Sequence, residues 1–153
     1  MVPPFLDLST WVPIIDGDIV ARALYERHYS AQAALARRIE RGTALFVGPG
    51  FKLVLSTPCR RALFVWRKEN FRLDDQTGVN CTVFRNEGAG LASDLIRAAD
   101  AVADARWPGQ RHFTFVDPRR VRGNPPGNCF LRAGWSRCGH TAKGLHIFER
   151  LAA

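Results

Sequence analysis

Cys81-Thr82-Val83-Phe84-Arg85-Asn86-Glu87-Gly88-Ala89-Gly90, running directly into Leu91-Ala92-Ser93-Asp94-Leu95-Ile96, is the stretch on which the reading of this chain turns. A β-rich run ends in Arg-x-x-Gly-x-Gly, and a long amphipathic helix begins immediately after it. That order presents consecutive backbone N–H groups, unshielded at Gly88 and Gly90, at the positive end of a helix dipole. Glycine is needed there because a Cβ obstructs both a positive-φ backbone and the close approach of phosphate oxygens. The turn therefore suits a pyrophosphate. The competing reading is a Gly-rich strand-to-helix connection that binds nothing.

The rest of the composition bounds what such a turn can serve. A chain of 153 residues fits one domain, spanning 1–153. With 46% hydrophobic residues, ten Phe and four Trp, it can bury a substantial core. Lys and Arg outnumber Asp and Glu by 22 to 14, a net charge of +8, which points to an anionic partner: nucleic acid, a phosphorylated cofactor, or both. No window approaches the ~18 uninterrupted apolar residues of a membrane span. Met1-Val2-Pro3-Pro4-Phe5 has no basic run leading into an apolar one, so a secretory signal is not expected. The expected location is the cytoplasm, where Cys59, Cys81, Cys129 and Cys138 stay reduced. No Cys-x-x-Cys pair occurs, and no metal is expected. Cys138-Gly139-His140 reads as a strand end rather than a ligand pair.

Outward from the central stretch, the periodicity gives an alternation of elements. Residues 5–9 read as a short first strand before Pro13 and the Asp16-Gly17-Asp18 turn. Asp16 or Asp18 can cap a helix from Ile19 to Arg27, and a second helix runs from Ala31 to about Arg41. Ala44–Val47, a Gly48-Pro49-Gly50 turn and Phe51–Ser56 read as strands or one hairpin, followed by a strand at Ala62–Trp66. The central helix extends to about Trp107, before Pro108-Gly109. His112–Val116 is the next strand, Cys129–Ala133 a short helix, and Trp135–His140 pairs with Gly144–Phe148. The order is β-α-α-β-β-β-α-β-α-β-β, an α/β plan with one mixed sheet.

That order, with Arg-x-x-Gly-x-Gly opening the third helix, resembles the GCN5-related N-acetyltransferase (GNAT) fold, a mixed, mostly antiparallel central sheet flanked by helices. Asn128-Cys129-Phe130-Leu131-Arg132-Ala133-Gly134-Trp135 is similar to that family's short helix ending in Gly and an aromatic. The resemblance covers nearly the whole chain. It implies that Val83 and Phe84 hold the pantetheine arm of acetyl-CoA or another acyl-CoA at a splayed strand edge. It implies that Arg85, Asn86, Gly88, Ala89, Gly90 and Leu91 cradle the pyrophosphate, with Asn128 completing the cofactor set. An acceptor amine then attacks the thioester directly, and the protein positions, deprotonates and stabilises. One departure stands out. Phe130 occupies the place where many members carry a Tyr that protonates the leaving thiolate.

Arg27-His28-Tyr29-Ser30 resembles the His-Tyr-Ser segment of Mom-type phage DNA-modification proteins, which share this fold and modify adenine in DNA. The run from Phe115 to Asn128 is also similar to Mom-like phage proteins. The resemblance makes His28, Tyr29, Ser30 and Asp117 the candidate catalytic residues. His28 suits a general base by its ordinary pKa, and Asp117 stands at a strand end where it can take a proton from an amine. Each has a plainer role open to it: His28 at a helix end, Ser30 as an N-cap, Asp117 in an Asp-Pro turn. Arg119, Arg120, Arg122 and Arg137 belong to the densest basic run and suit phosphate contacts. Trp66 and Trp135 are either core residues or stacking surfaces for an extruded base. The expected function is acyl-CoA-dependent N-acylation of an amino group on a DNA nucleobase or hypermodified base, in phage DNA modification. DNA is the expected partner and tRNA an alternative one. The rival functions are acetylation of aminoacyl-tRNA or a small amine, and a non-catalytic nucleic-acid-binding module with the same fold. Either a monomer or a homodimer is compatible with the sequence.

Overall fold

A computed structural model of the chain describes residues 10–29, 31, 45–121 and 123–152. Among these residues, seven strands form a single sheet: β1 (Val12–Ile14), β2 (Phe51–Ser56), β3 (Ala62–Lys68), β4 (Val79–Asn86), β5 (His112–Val116), β6 (Ser136–His140) and β7 (His146–Arg150). Their spatial order is β1-β2-β3-β4-β5-β7-β6. The pair β4–β5 is parallel, and every other pair in the sheet is antiparallel. Three helices are described: α1 (Ile19–Glu26), α2 (Ala92–Arg106) and α3 (Asn128–Arg132).

The sheet is covered on both faces, which is why β3 reads as a continuous apolar run instead of an alternation. Ala62, Phe64 and Trp66 point to the side of α2 and α3, where they meet Ile96, Ala99 and Phe130. Leu63 and Val65 point to the other side and pack with Ala21, Leu24 and Tyr25 of α1. Trp66 and Trp135 are fully enclosed, stacked with ring centroids 6.3 Å apart. Two buried polar groups are built into this core. Asp100 of α2 contacts His112 Nδ1 at 2.7 Å and accepts the Trp135 indole N–H at 2.9 Å. These contacts tie α2 to β5 and to the start of β6.

Local chemistry explains where the elements begin. Asp18 caps α1, accepting the Ala21 N–H at 3.0 Å. Asp16 does something else. Its carboxylate accepts the N–H groups of Phe46 (2.8 Å), Val47 (3.0 Å) and Gly48 (2.9 Å) and pairs with Lys52 at 2.8 Å. Burial raises its pKa, but Lys52 and the three backbone donors outweigh burial and leave it below the usual carboxylate range. Because Asp16 takes those donors, Leu45–Val47 is irregular backbone instead of the expected strand.

The remaining differences have equally local causes. The expected first strand at residues 5–9 lies outside the described residues, as does nearly all of the expected helix from Ala31 to Arg41. The first described strand is Val12–Ile14, with Pro13 at its centre. Proline is tolerated there because β1 lies at an end of the sheet. Strand β4 starts earlier than expected, at Val79, where Gly78 allows a close approach. A Cβ on Gly78 would lie 2.0 Å from the Arg111 carbonyl oxygen.

Candidate active site

Strands β4 and β5 pair only from Val79–Cys81 to His112–Thr114. β4 continues to Asn86 and β5 to Val116, so beyond Cys81 and Thr114 the two diverge. Thr114 closes the last point of contact, its hydroxyl donating to the Cys81 carbonyl at 2.8 Å. The divergence opens a cleft of about 830 Å³ that is lined from both faces of the sheet. Leu91, Ser93, Asn128 and Phe130 line it on the side of α2 and α3. His28, Tyr29, Asn80 and Asp117 also line it. Asn80 is in register with Arg67 and Phe113, so it lies on the face opposite α2. A volume of this size suits a ligand bound in depth.

At the far end of β4 the chain makes the glycine turn. Gly88 has φ +88°, a left-handed conformation that a side chain would strain. Asn86 braces the turn from within: its amide nitrogen donates to the Gly90 carbonyl at 2.8 Å and its oxygen accepts the Ala89 N–H at 2.9 Å. Leu91 stands at the N-cap of α2 and offers no side-chain cap to the first-turn N–H groups. Those donors are therefore left for solvent or an anion. Arg85 turns back, pairing with Glu87 at 2.6 Å and donating to the Arg27 carbonyl at 2.7 Å. Glu87 also receives Arg27, and the two guanidinium groups hold its carboxyl well below the usual range, at about 2. A strand edge released by the splay, a turn with φ positive at Gly88 and an uncapped helix start together fit a long ligand ending in a pyrophosphate.

The candidate catalytic residues gather where the strands part. Asp117 follows β5, with the N–H of its own backbone 3.4 Å from the Tyr29 hydroxyl. Its carboxylate accepts the Arg119 N–H at 3.0 Å and the Arg119 guanidinium at 3.2 Å. These contacts, joined by Arg120, keep it ionised well below the usual range. Tyr29 is raised by burial and stays protonated. His28 stacks on Tyr29 with centroids 4.5 Å apart. Burial, and then the Arg85 charge, push the His28 imidazole down to about 4, against a hydrogen bond to the Phe84 backbone. It is neutral at physiological pH. Ser30 and Arg122 lie outside the described residues.

Other expected residues fall in different places. Arg119 and Arg120 are at the mouth of the cleft, and Arg120 also donates to the Tyr29 carbonyl at 3.0 Å. Lys143 and Arg132 add to the cationic lining. Arg137 is on the edge strand β6, apart from that cleft. Trp66 and Trp135 are core residues and have no face available for a base. Phe130 packs against Trp135, Phe148 and Phe84, so it belongs to the aromatic core as much as to the cleft wall. Gly127, just before α3, is held to glycine by that same packing, since a Cβ would sit 2.4 Å from the Phe148 ring.

Asn80 was not anticipated from sequence. It is 7% exposed and lines the cleft, and its Oδ1 has no hydrogen-bond partner among the described residues. The available signal was its position: a carboxamide in the middle of the apolar run Val79-Asn80-Cys81, where an unpartnered polar group is costly. Among the described residues, no cluster of three or more His, Cys, Asp or Glu is placed to hold a metal. No described helix is long and apolar enough to cross a membrane.

A mixed sheet parted between its one parallel pair, with a glycine turn leading into a long helix at the open end, defines the GNAT-like fold. Among solved structures, the chain is similar to the aminoglycoside acetyltransferase AAC(6')-Ib in complex with coenzyme A. The TM-score is 0.63, over 93% of this chain and 94% of that one, at 16% sequence identity. The likeness is one of fold. No protein-family model and no curated protein matches the sequence.

Proposed function

We propose that this protein is an acyl-CoA-dependent N-acyltransferase whose acceptor is an amino group carried by nucleic acid, most simply a nucleobase or modified base in phage DNA. The observation that carries the first half is the splay of β4 from β5, leading to the Gly88–Gly90 turn at the start of α2. Val83 and Phe84 would offer the pantetheine arm their free backbone groups, and the turn with Leu91 would hold the pyrophosphate. The coenzyme A bound to the similar acetyltransferase supports that assignment. When bound, an acyl-CoA supplies the acyl group as a thioester activated toward amines.

The acceptor half rests on charge. Arg119, Arg120 and Lys143 line the cleft, and the nearby Asp117 is already paired with the first two. Such a rim attracts phosphate and repels a polycationic amine, so an aminoglycoside acceptor is disfavoured even though the similar enzyme is named for one. The Mom-like His28-Tyr29 segment and the Phe115–Asn128 run support DNA over other polyanions. Aminoacyl-tRNA satisfies the same charge argument and is the nearest alternative.

The chain's own groups suggest how the transfer is assisted. Attack by an amine places positive charge on its nitrogen. Asp117, ionised and lining the cleft, is the candidate to take that proton. Tyr29, protonated and lining the cleft, is positioned to donate a hydrogen bond. His28 supports the site by stacking on Tyr29 and by its hydrogen bond to the Phe84 backbone.

A second reading is favoured by Phe130. It has no proton to give a leaving thiolate, and a fold that kept its cleft while losing chemistry would bind nucleic acid without catalysis. Calorimetric titration with acetyl-CoA separates the two, run alongside a Gly88→Asp/Gly90→Asp double variant. Micromolar binding that the variant loses is expected. No binding by the wild type, together with salt-sensitive DNA binding, would leave the non-catalytic module.

A further inference from the structure

Of the described residues with a buried side-chain atom that lacks a hydrogen-bond partner, Asn80 is the one that lines the cleft; the atom is its enclosed Oδ1. The others, Arg22, Arg60, Arg67 and His112, lie elsewhere. A carboxamide oxygen left bare at 7% exposure is costly to keep, and native proteins seldom keep one without a use. Its neighbours make no demand on it. Cys81 next to it gives its carbonyl to Thr114, and Arg67, in register with it on β3, donates to the carbonyls of Val47 and Pro49.

The residue borders the cleft where the strands part. Asn80 is on the last paired segment of β4, one residue before the strands part, on the face opposite α2. The glycine turn is at the other end of the same strand, beyond Asn86. Tyr29 and Asp117 line the same cleft as Asn80. A carboxamide is also a particular reader. It accepts a hydrogen through oxygen and donates one through nitrogen, side by side, so it matches an edge that presents a donor beside an acceptor. The exocyclic amine and adjacent ring nitrogen of adenine or cytosine form such an edge. Asn pairing with adenine in this two-point manner is a recurring contact in nucleic-acid recognition.

We propose that Asn80 is the specificity-determining residue for the acceptor, its carboxamide pairing with the amino-bearing edge of a nucleobase inserted into the cleft. This rests on the nucleic-acid reading above and narrows it to bases that carry an exocyclic amine. A base must leave its stack to reach that depth, so single-stranded or flipped substrates are the ones read. Arg119 and Arg120 hold the phosphates at the mouth, independent of sequence, while Asn80 selects the base.

Fluorescence anisotropy with labelled oligo(dA), oligo(dC), oligo(dT) and an oligomer of N6,N6-dimethyl-deoxyadenosine, at one salt concentration, tests this without any catalytic readout. Wild type is expected to bind oligo(dA) or oligo(dC) about fivefold or more tightly than oligo(dT). The dimethylated oligomer, which has no N–H to give, should bind like oligo(dT). Asn80→Leu should erase the preference while leaving oligo(dT) affinity and its salt dependence unchanged. It should also unfold at the same or a higher temperature, because a buried acceptor without a partner has been replaced by an apolar group. A preference that survives in Asn80→Leu, no preference in wild type, or a lowered unfolding temperature overturns the assignment. Wild type that binds none of the four oligomers overturns the nucleic-acid reading itself.

Discussion

Glu87 receives Arg27 in a two-pronged ion pair, Nε to Oε2 at 2.8 Å and Nη2 to Oε1 at 2.9 Å, and so fastens the C-terminal end of α1 to the turn before α2. Arg85 joins the same carboxylate, so a segment preceding His28 and the proposed phosphate turn share one charged group. The pairing is two-pronged and therefore specific in geometry as well as charge.

The pair has a definite acid signature. Arg27 first, then Arg85, lower the Glu87 carboxyl from 4.5 to about 2. The unfolded chain binds more protons than the folded one between these values. The stabilisation is therefore fully present above about 4.5 and is lost as pH falls toward 2. Glu87→Gln should remove that part of the acid limb. Thermal unfolding from pH 6 to about 2 would show the wild type losing its advantage over the variant across this window; parallel curves would contradict it.

His28 is also shifted down, but in a base the shift favours the uncharged form. Burial and Arg85 lower it from 6.5 to about 4, so folding favours the neutral ring, and acidification from 6.5 toward 4 weakens the fold. Its imidazole resonances should titrate near 4 in the free protein. A transferase pH profile should accordingly show no limb near 6.5 that disappears in His28→Gln. An NMR titration with an inflection near 6.5 would place the ring in solvent instead.

Asp100 is a buried acid of the core. It is 3% exposed and accepts the Trp135 N–H while contacting His112. Asp100→Ala leaves two buried nitrogens without their carboxylate and should cost about 3–5 kcal/mol in urea unfolding. Asp100→Asn, which keeps the shape and one acceptor oxygen, should cost less.

Cysteine chemistry should divide sharply by location. Cys59 is exposed, and hydrogen bonds from Thr57 and Arg61 lower its thiol to about 7. Cys81 and Cys129 are pushed up by burial. Alkylation by iodoacetamide should therefore label Cys59 first, with a rate that rises through about pH 7. Mass spectrometry of the peptides reads the order. Cys81 labelled at a comparable rate would mean that the β4–β5 junction opens in solution.

Much of the architecture was written in short-range patterns. The spacing of Leu95, Ile96, Ala99, Val102 and Ala103 marks the buried side of α2, and Pro108-Gly109 follows its end. His112–Val116 was delimited by Asp117-Pro118 on one side, and the β6–β7 hairpin by the Thr141–Lys143 turn. What escaped depends on partners distant in sequence. Nothing in Asp16 itself indicates that it will collect the N–H groups of Phe46, Val47 and Gly48 and prevent a strand there. Phe130 shows the same limit from the other side. Its departure from the Tyr that the GNAT resemblance implies is plain in the sequence, but its role in packing Trp135 and Phe148 appears only when α3 meets β7. The candidate site was legible as a set of positions, His28, Tyr29 and Asp117, which line one cleft, and the glycine turn at the end of β4. The bare carboxamide of Asn80 could not be told from a satisfied one until its surroundings were known.

Pro13 has a consequence for how the molecules behave toward one another. In a three-residue strand at the end of the described sheet, the N–H groups of Val12 and Ile14 face β2, and the outward position falls to residue 13. Proline has no N–H to place there. A second chain approaching that side would find no donor with which to begin a ladder. At the other end, β6 presents exposed Arg137, and a charged side chain on an edge strand disfavours self-pairing. Both margins of the described sheet thus resist templated stacking.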